Sequence, residues 1–414
     1  MLPLYQFKTD QHLERLVEKC ESKAHPGLLF DRYPKGWGKT WHEKLADDPK
    51  RDPKLTLLKL AKDYDRERLR NGLEAALMRQ KALWALLVGE ELEATTQWRF
   101  VSGLGNGHPY GTGFLWHRTL GVPYIPGSSV KGMVRAWAEQ WCDDETISQE
   151  TVNALFGPPA NQTEHEANAG SLIFFDALPT EPPALDVDIL NPHYKPYYDD
   201  KSGEVPPADY YNPVPVQFLT LAPGQTLRFF LAAKPGAYPR LAAEQRGLQM
   251  KSDVTQGLKL LADALEYLGA GGKTAVGYGQ MQETDQSQRQ RQQQADKAAK
   301  QREQHAAKAS LERDMNALEL TGLAREVYTQ SKLQHWQNDK SVFLSGAESF
   351  LPQIEKLEDP VQQHQAVDII KENLEHHDKG ILEKPEKKKG KLEKPAYKPR
   401  PINIANRLLA LVKK

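Results

Sequence analysis

The stretch Gly269-Ala-Gly-Gly-Lys-Thr-Ala-Val-Gly-Tyr-Gly279 limits the possible folds of this chain more than any other, because five of its eleven residues are glycine. Such density lets the backbone approach a ligand closely and adopt positive φ. Lys273 adds a cation, and Thr274 and Tyr278 add hydroxyls, which together make the chemistry of a phosphate cradle. Gly272-Lys273-Thr274 also fits the second half of a nucleotide-binding P-loop, but the first glycine of that pattern should stand where the chain has Tyr267. The flanks argue the same way. Val254, Leu258, Leu261, Leu265 and Leu268 recur with helical spacing and predict an amphipathic helix running into the loop. Gly269 reads as its stop, and Tyr278, Gln280 and Gln282 alternate as a short strand beyond it. Helix, glycine loop, strand is the reverse of the P-loop order, so the segment does not read as an NTPase site. A glycine-rich turn without a ligand is the plainer alternative, although five glycines exceed what a turn requires.

A second anion-facing element lies upstream. In Ile125-Pro-Gly-Ser-Ser-Val-Lys-Gly-Met-Val-Arg135, the positions Val130, Val134, Trp137 and Trp141 mark one helix face. Ser128 or Ser129 is expected to supply the N-cap, with Pro126-Gly127 as the turn that aims the helix start. Lys131 and Arg135 stand one turn apart beside the apolar stripe. Free N–H groups, two hydroxyls and two cations at one helix start compose an anion site; an ordinary capped helix with snorkelling Lys and Arg fits the same residues. Another glycine-dense loop runs from Gly103 to Gly113. Two such loops and one cationic helix start suggest a groove that tracks a polyanion rather than a pocket for one nucleotide. Tyr110, Phe114, Trp116 and Tyr124 offer stacking surfaces, with core packing as the ordinary fate of such rings.

At 414 residues the chain has room for two or three domains. Its apolar content of 39% is low for one compact globule, as is its mean hydropathy of −0.66. The longest apolar run, Ala82 to Val88, is seven residues, too short for a membrane span. Lys8 and Asp10 without an apolar segment do not read as a signal peptide. Cys20 and Cys142 make neither a disulfide framework nor a zinc site, and no residue spacing calls for a metal or cofactor; the expected location is cytoplasmic. The 55 basic and 55 acidic residues cancel, but Lys384 to Arg400 holds eight basic and two acidic residues among prolines and reads as a flexible basic segment or a solvated linker.

Residues 1–92 read as mainly helical, with a loop over Gly36 to Pro53. From Glu93 the pattern turns strand-like: Thr96, Trp98 and Phe100 alternate, and further strands are expected at 171–176, 214–221 and 226–232. Helices are expected at 129–142 and 254–268. Residues 93–285 therefore read as a mixed α+β core with mostly antiparallel strands. Residues 286–310 are nearly free of apolar side chains and form a polar helix or linker. Residues 311–414 hold a helical extension, periodic to about 380, and the basic segment.

Several of these blocks resemble one family. Gly121-Val-Pro-Tyr-Ile-Pro-Gly-Ser-Ser-Val-Lys-Gly132 is similar to the helix-entry motif of the RAMP superfamily, the RNA-binding proteins of CRISPR systems, and Gly269 to Gly279 resembles its glycine-rich loop. Leu155-Phe-Gly157, Gly170 to Asp176, Asp188 to Tyr198 and Asn212 to Leu219 resemble the branch formed by the sixth subunits of Cmr (type III-B) effector complexes. The likeness covers about residues 93 to 285. It implies a ferredoxin-like or RRM-like core with a β-hairpin thumb near Asp188 to Tyr198. It further implies a subunit that caps the filament at the 3′ end of the guide RNA, holds the guide–target duplex, and contacts backbone and filament-end subunits. The RNA-binding candidates are Ser128, Ser129, Lys131, Arg135, Gly271, Gly272, Lys273, Thr274, Gly277 and Tyr278, with Asp188, His193 and Tyr194 on the implied thumb. A metal-independent endoribonuclease is the alternative, since His108, His117, His193, Asp186 and Asp188 could supply acid–base chemistry. The resemblance implies a non-catalytic subunit.

Overall fold

The computed structural model describes residues 24–32, 58–59, 62–108, 111–143, 146–159, 169–382 and 399–412. The loop expected at Gly36 to Pro53, Cys20, Tyr110 and the basic stretch up to residue 398 lie outside them. The chain divides into two compact units, residues 1–299 and 300–414.

The first unit contains α1 (Pro26–Arg32), α2 (Arg66–Ala85), β1 (Gly89–Thr96), α3 (Gly127–Gln140), α4 (Gln149–Phe156), β2 (Leu172–Phe174), β3 (Leu178–Pro179), β4 (Leu185–Leu190), α5 (Lys195–Asp199), β5 (Val216–Leu221), β6 (Thr226–Ala233), α6 (Ala243–Tyr267) and β7 (Met281–Glu283). The principal sheet has the order β2-β6-β1-β7, with β3 also paired to β6, and every pairing is antiparallel. Helix α3 connects β1 to β2, and α6 connects β6 to β7. Two split βαβ units in this strand order make the ferredoxin-like arrangement. The chain is thus of the expected α+β class.

Alternation along the two central strands sets the layers. Leu92, Ala94, Leu227, Phe229 and Leu231 join a core with Val130, Val134, Val254, Leu258, Leu261 and Leu265 from α3 and α6. The opposite face of the sheet is not bare. Trp84 of α2 lies over Phe230, with ring centroids 6.2 Å apart, and Arg228 pairs with Glu93 at 2.6 Å and Glu91 at 3.7 Å.

The strand expected through Thr96, Trp98 and Phe100 sits earlier in sequence. β1 ends at Thr96, and Phe100 keeps only an isolated bridge to Leu221. The reason is competition for backbone partners. The carbonyls of Arg99 and Val101 accept from Gly279 and Gly272 at 2.8 Å each, so this segment is committed to the glycine loop. A second, two-stranded sheet, β4 against β5, pairs Leu185 with Leu221 through Leu190 with Val216, and the connection between its strands includes α5.

Helix α7 (Asp285–Ala317) carries the polar sequence that follows β7. In the second unit, α8 (Gly322–Leu333), α9 (Lys340–Ile354), α10 (Pro360–His377) and α11 (Pro399–Val412) surround a core that includes Trp336, Phe343, Leu351, Ile370 and Leu408. Asp339 and Asp359 cap α9 and α10 by accepting from the first-turn amides. Arg400, the last cation of the basic stretch, pairs with Glu348 at 2.6 Å, and Arg407 pairs with Glu355 at 2.6 Å. Among the described residues no helix is long and apolar enough to cross a membrane.

Candidate nucleic-acid interface

Helix α6 stops at Gly269, whose φ of +73° turns the chain while its amide returns to the Ala264 carbonyl at 3.0 Å. The loop that follows is folded onto its own chain. A side chain at Gly271 would stand 2.3 Å from the Val101 carbonyl oxygen, and one at Gly279 would stand 1.8 Å from that of Ala270. Both glycines are therefore required by packing inside the protein, whatever the loop binds. Gly272 donates inward to Val101 and Gly277 to Thr274.

What stays open is the middle of the loop. Lys273 occupies the left-handed region, with φ 61° and ψ 28°, and Thr274–Val276 form one 3₁₀ turn. A left-handed residue followed by right-handed ones points successive N–H groups into one concavity, an anion nest. Among the described residues, the amides of Lys273, Thr274 and Ala275 donate no hydrogen bond. The Lys273 ammonium lies 5.6 Å from the centre of the Tyr278 ring and 5.9 Å from that of Phe218. No carboxylate among the described residues pairs with it.

Tyr278 is buried, and its hydroxyl donates to Asp188 at 2.5 Å. Its hydroxyl is thus engaged inside the protein. Burial, reinforced by Asp188, pushes the phenol up to about 12. Arg99 donates to Asp186 at 2.9 Å and approaches Asp188 at 3.6 Å. Lys62 reaches Asp186 at 3.0 Å. Despite its burial, Asp186 is held below the usual carboxylate range by hydrogen bonds from Lys62, Arg99 and the Val187 amide. Two cations and two carboxylates cancel here, so Asp188 buttresses the loop and offers little to a polyanion.

The start of α3 is built differently from the sequence expectation. Pro126 is the capping residue and makes no side-chain cap. The cap comes from Asp176, whose carboxylate accepts from the Gly127 amide at 2.7 Å. A side chain at Gly127 would stand 2.3 Å from the Phe174 carbonyl oxygen, so this glycine is what admits the segment around Asp176. Ser128 and Ser129 are exposed and cap nothing. A carboxylate of the chain itself already occupies the positive end of the helix, and Arg135 is engaged with Glu139 at 2.8 Å. Lys131 is half-buried, and burial, with a contribution from Arg135, lowers its pKa.

The loop at Gly103 to Gly113 closes on itself through the Asn106–Gly103 and Gly113–Leu104 bonds. It is tied to α1 by His108, which meets the Phe30 carbonyl at 2.8 Å and stacks on that ring at 4.4 Å. His117 Nδ1 faces the amides of Thr119 and Leu120 at 3.4 and 3.3 Å, and burial lowers its pKa. His193 and Tyr194 lie in the β4–β5 connection, where the Tyr194 hydroxyl donates to Asp209 at 2.7 Å. Of the sequence-predicted residues, then, the structure joins Lys273, Tyr278 and Asp188. No hydrogen bond, ion pair or ring contact among the described residues links Ser128, Ser129, Lys131, Arg135, His193 or Tyr194 to them. No cluster of metal-ligating side chains occurs among the described residues.

The fold and the loop fall inside one recognised segment: residues 91–282 match the RAMP superfamily model. Residues 91–282 form a RAMP superfamily domain. It is 30% identical over 240 residues to the CRISPR system Cmr subunit Cmr6 of Pyrococcus furiosus, covering 45% of this chain and 66% of that relative. It is 27% identical over 149 residues to the Cmr6 subunit of Saccharolobus solfataricus, covering 35% of this chain and 45% of that relative. Among solved structures it is similar to a chain of the type III-B Cmr-beta complex bound to cognate target RNA, with 22% identity, a TM-score of 0.39, and coverage of 58% of this chain and 76% of that one. It is also similar to the crystal structure of Pyrococcus furiosus Cmr6, with 28% identity, a TM-score of 0.27, and coverage of 48% and 99%. Within this RAMP domain, sequence reasoning missed Arg99, Phe218 and Asp176. The period-two spacing of Asp186 and Asp188, which puts both on one face of a strand, was the available signal for a cationic partner.

Proposed function

We propose that this RAMP protein is a non-catalytic RNA-binding subunit of a type III-B CRISPR effector complex. It caps the filament at the 3′ end of the guide RNA and helps hold the guide–target duplex beside neighbouring subunits. The loop at Gly269 to Gly279 clamps RNA phosphates. The observation that carries this reading is the nest at Lys273, Thr274 and Ala275: among the described residues, three successive amides have no hydrogen-bond acceptor and the ammonium has no carboxylate, while Gly272, Gly277 and Gly279 of the same loop donate within the protein. Such a site takes an oxyanion without regard to base sequence, as a guide-binding subunit must. The names of the curated relatives support the assembly.

The non-catalytic part rests on the histidines. His117 Nδ1 faces two backbone amides, and His108 Nε2 meets a backbone carbonyl. Retention of guide RNA by the purified complex tests the proposal. Lys273→Ala is expected to weaken it and His117→Ala to leave RNA length and retention unchanged. A cleavage product that disappears with His117→Ala would replace this reading with the nuclease one.

A further inference from the structure

The RNA-clamp reading leaves one large side chain beside the clamp without a role. Trp98 is 46% exposed, yet it sits on pinned backbone. Gln97 donates to Gln280 at 2.8 Å, and the Arg99 carbonyl accepts from Gly279 at 2.8 Å, so both neighbours of Trp98 are tied to the segment that closes the glycine loop. The Arg99 guanidinium lies over the indole, 4.9 Å from its centroid. It cannot swing away cheaply, because Asp186 holds it at 2.9 Å and Asp188 at 3.6 Å.

Folding does not explain this arrangement. The residues that follow, Phe100 and Val101, are fully buried and serve the core, whereas Trp98 leaves nearly half its surface in water. With the guanidinium over the ring, 46% of the residue still faces solvent. A flat aromatic surface, backed by a fixed cation and carried on immobile backbone, is the construction that stacks a nucleobase. The contacts also lead from it to the nest: Trp98 to Arg99, Arg99 to Asp188, Asp188 to the Tyr278 hydroxyl, and the Tyr278 ring to Lys273. Arg99 is neutralised by its two carboxylates, so it orients the ring instead of competing for phosphate.

We propose that Trp98 is the platform on which an unpaired RNA base stacks while the neighbouring phosphate sits in the nest at Lys273. This rests on the RNA-clamp reading and adds a base-contacting residue to it. The contact is indifferent to base identity, because every base has a π-face.

The test uses the full chain and single-stranded RNA oligonucleotides carrying 2-aminopurine, with matched oligonucleotides bearing abasic riboses. Stacking on an aromatic ring is worth about 1–3 kcal/mol per base, so Trp98→Ala is expected to weaken intact RNA about 5- to 150-fold. Trp98→Phe should retain most of the affinity and of the 2-aminopurine quenching. Abasic RNA should bind the wild type and Trp98→Ala alike. If Trp98→Ala weakens intact and abasic RNA equally, the ring is structural and the platform is overturned. If Trp98→Ala binds as wild type while Lys273→Ala is weakened, the platform is overturned and the phosphate clamp stands. If neither substitution changes binding, both readings fall.

Discussion

Tyr278 donates its hydroxyl to Asp188 at 2.5 Å and so ties the glycine loop to strand β4, ninety residues away in sequence. The bond is charge-assisted and part-buried, the setting in which a hydrogen bond contributes most. Tyr278→Phe keeps the ring under Lys273 and removes only the donor. Asp188 retains Arg99, so the expected loss is about 1–2 kcal/mol, not the full cost of an orphaned carboxylate. Urea unfolding should show a lower midpoint, and RNA affinity should fall a few-fold with its salt dependence unchanged. A drop in salt dependence would mean that the hydroxyl touches phosphate directly.

The cap of α3 gives a sharper contrast. Asp176 accepts from Gly127 at 2.7 Å, whereas Ser128 and Ser129 make no cap. Asp176→Ala is expected to destabilise the first unit by about 1–2 kcal/mol, the worth of a good N-cap. The double change Ser128→Ala with Ser129→Ala should stay within about 0.5 kcal/mol, as an exposed substitution does. Calorimetric melting separates the two, and a larger loss from the serine pair would return the cap to the serines.

These two residues also show what was legible in the sequence. The succession of helix, glycine loop and strand could be read because Val254 to Leu268 hold one helical period and Gly269 ends it, all within local chain. The α+β class was legible for the same reason. Asp176 lies 49 positions from Gly127, and Asp186 lies 87 positions from Arg99. Such pairs are set by strand register and by how α3 sits on the sheet, which no local pattern encodes. The start of α3 could be read as either an anion site or an ordinary capped helix, and local sequence did not show that the chain fills this helix end with its own carboxylate, Asp176. The β1 boundary failed similarly, since what ended the strand was competition from the glycine loop.

Lys273 and Arg135 were equivalent candidates by residue type, and the structure separates them. Arg135 is held by Glu139 at 2.8 Å, while the Lys273 ammonium has only aromatic neighbours among the described residues. Each phosphate neutralised on a single strand contributes about −0.7 to the slope of log affinity against log salt. Lys273→Ala is expected to remove about that much, and Arg135→Ala much less. Affinities measured across a salt series decide between them, and equal slopes for the two variants would contradict the assignment.

Glu90 makes the fold itself sensitive to pH. It stands on β1, on the alternation that carries Leu92 and Ala94 into the helix-covered core. Burial pushes its carboxyl up from 4.5 to about 7, with Lys251 only partly opposing. Between these values the folded state binds the proton that the unfolded state has released. Stability from this group therefore falls as pH rises from about 4.5 to about 7, and levels off above that. Glu90→Gln keeps the shape and removes the titration. At pH 8 it should be more stable than wild type by about 1 kcal/mol, after discounting for partial solvent screening. At pH 4 the two should melt nearly together, because wild-type Glu90 is then mostly protonated in both the folded and the unfolded chain. Melting temperatures of both proteins across this range provide the check. Parallel curves, with the same offset at both ends, would mean that Glu90 is charged in the folded state throughout.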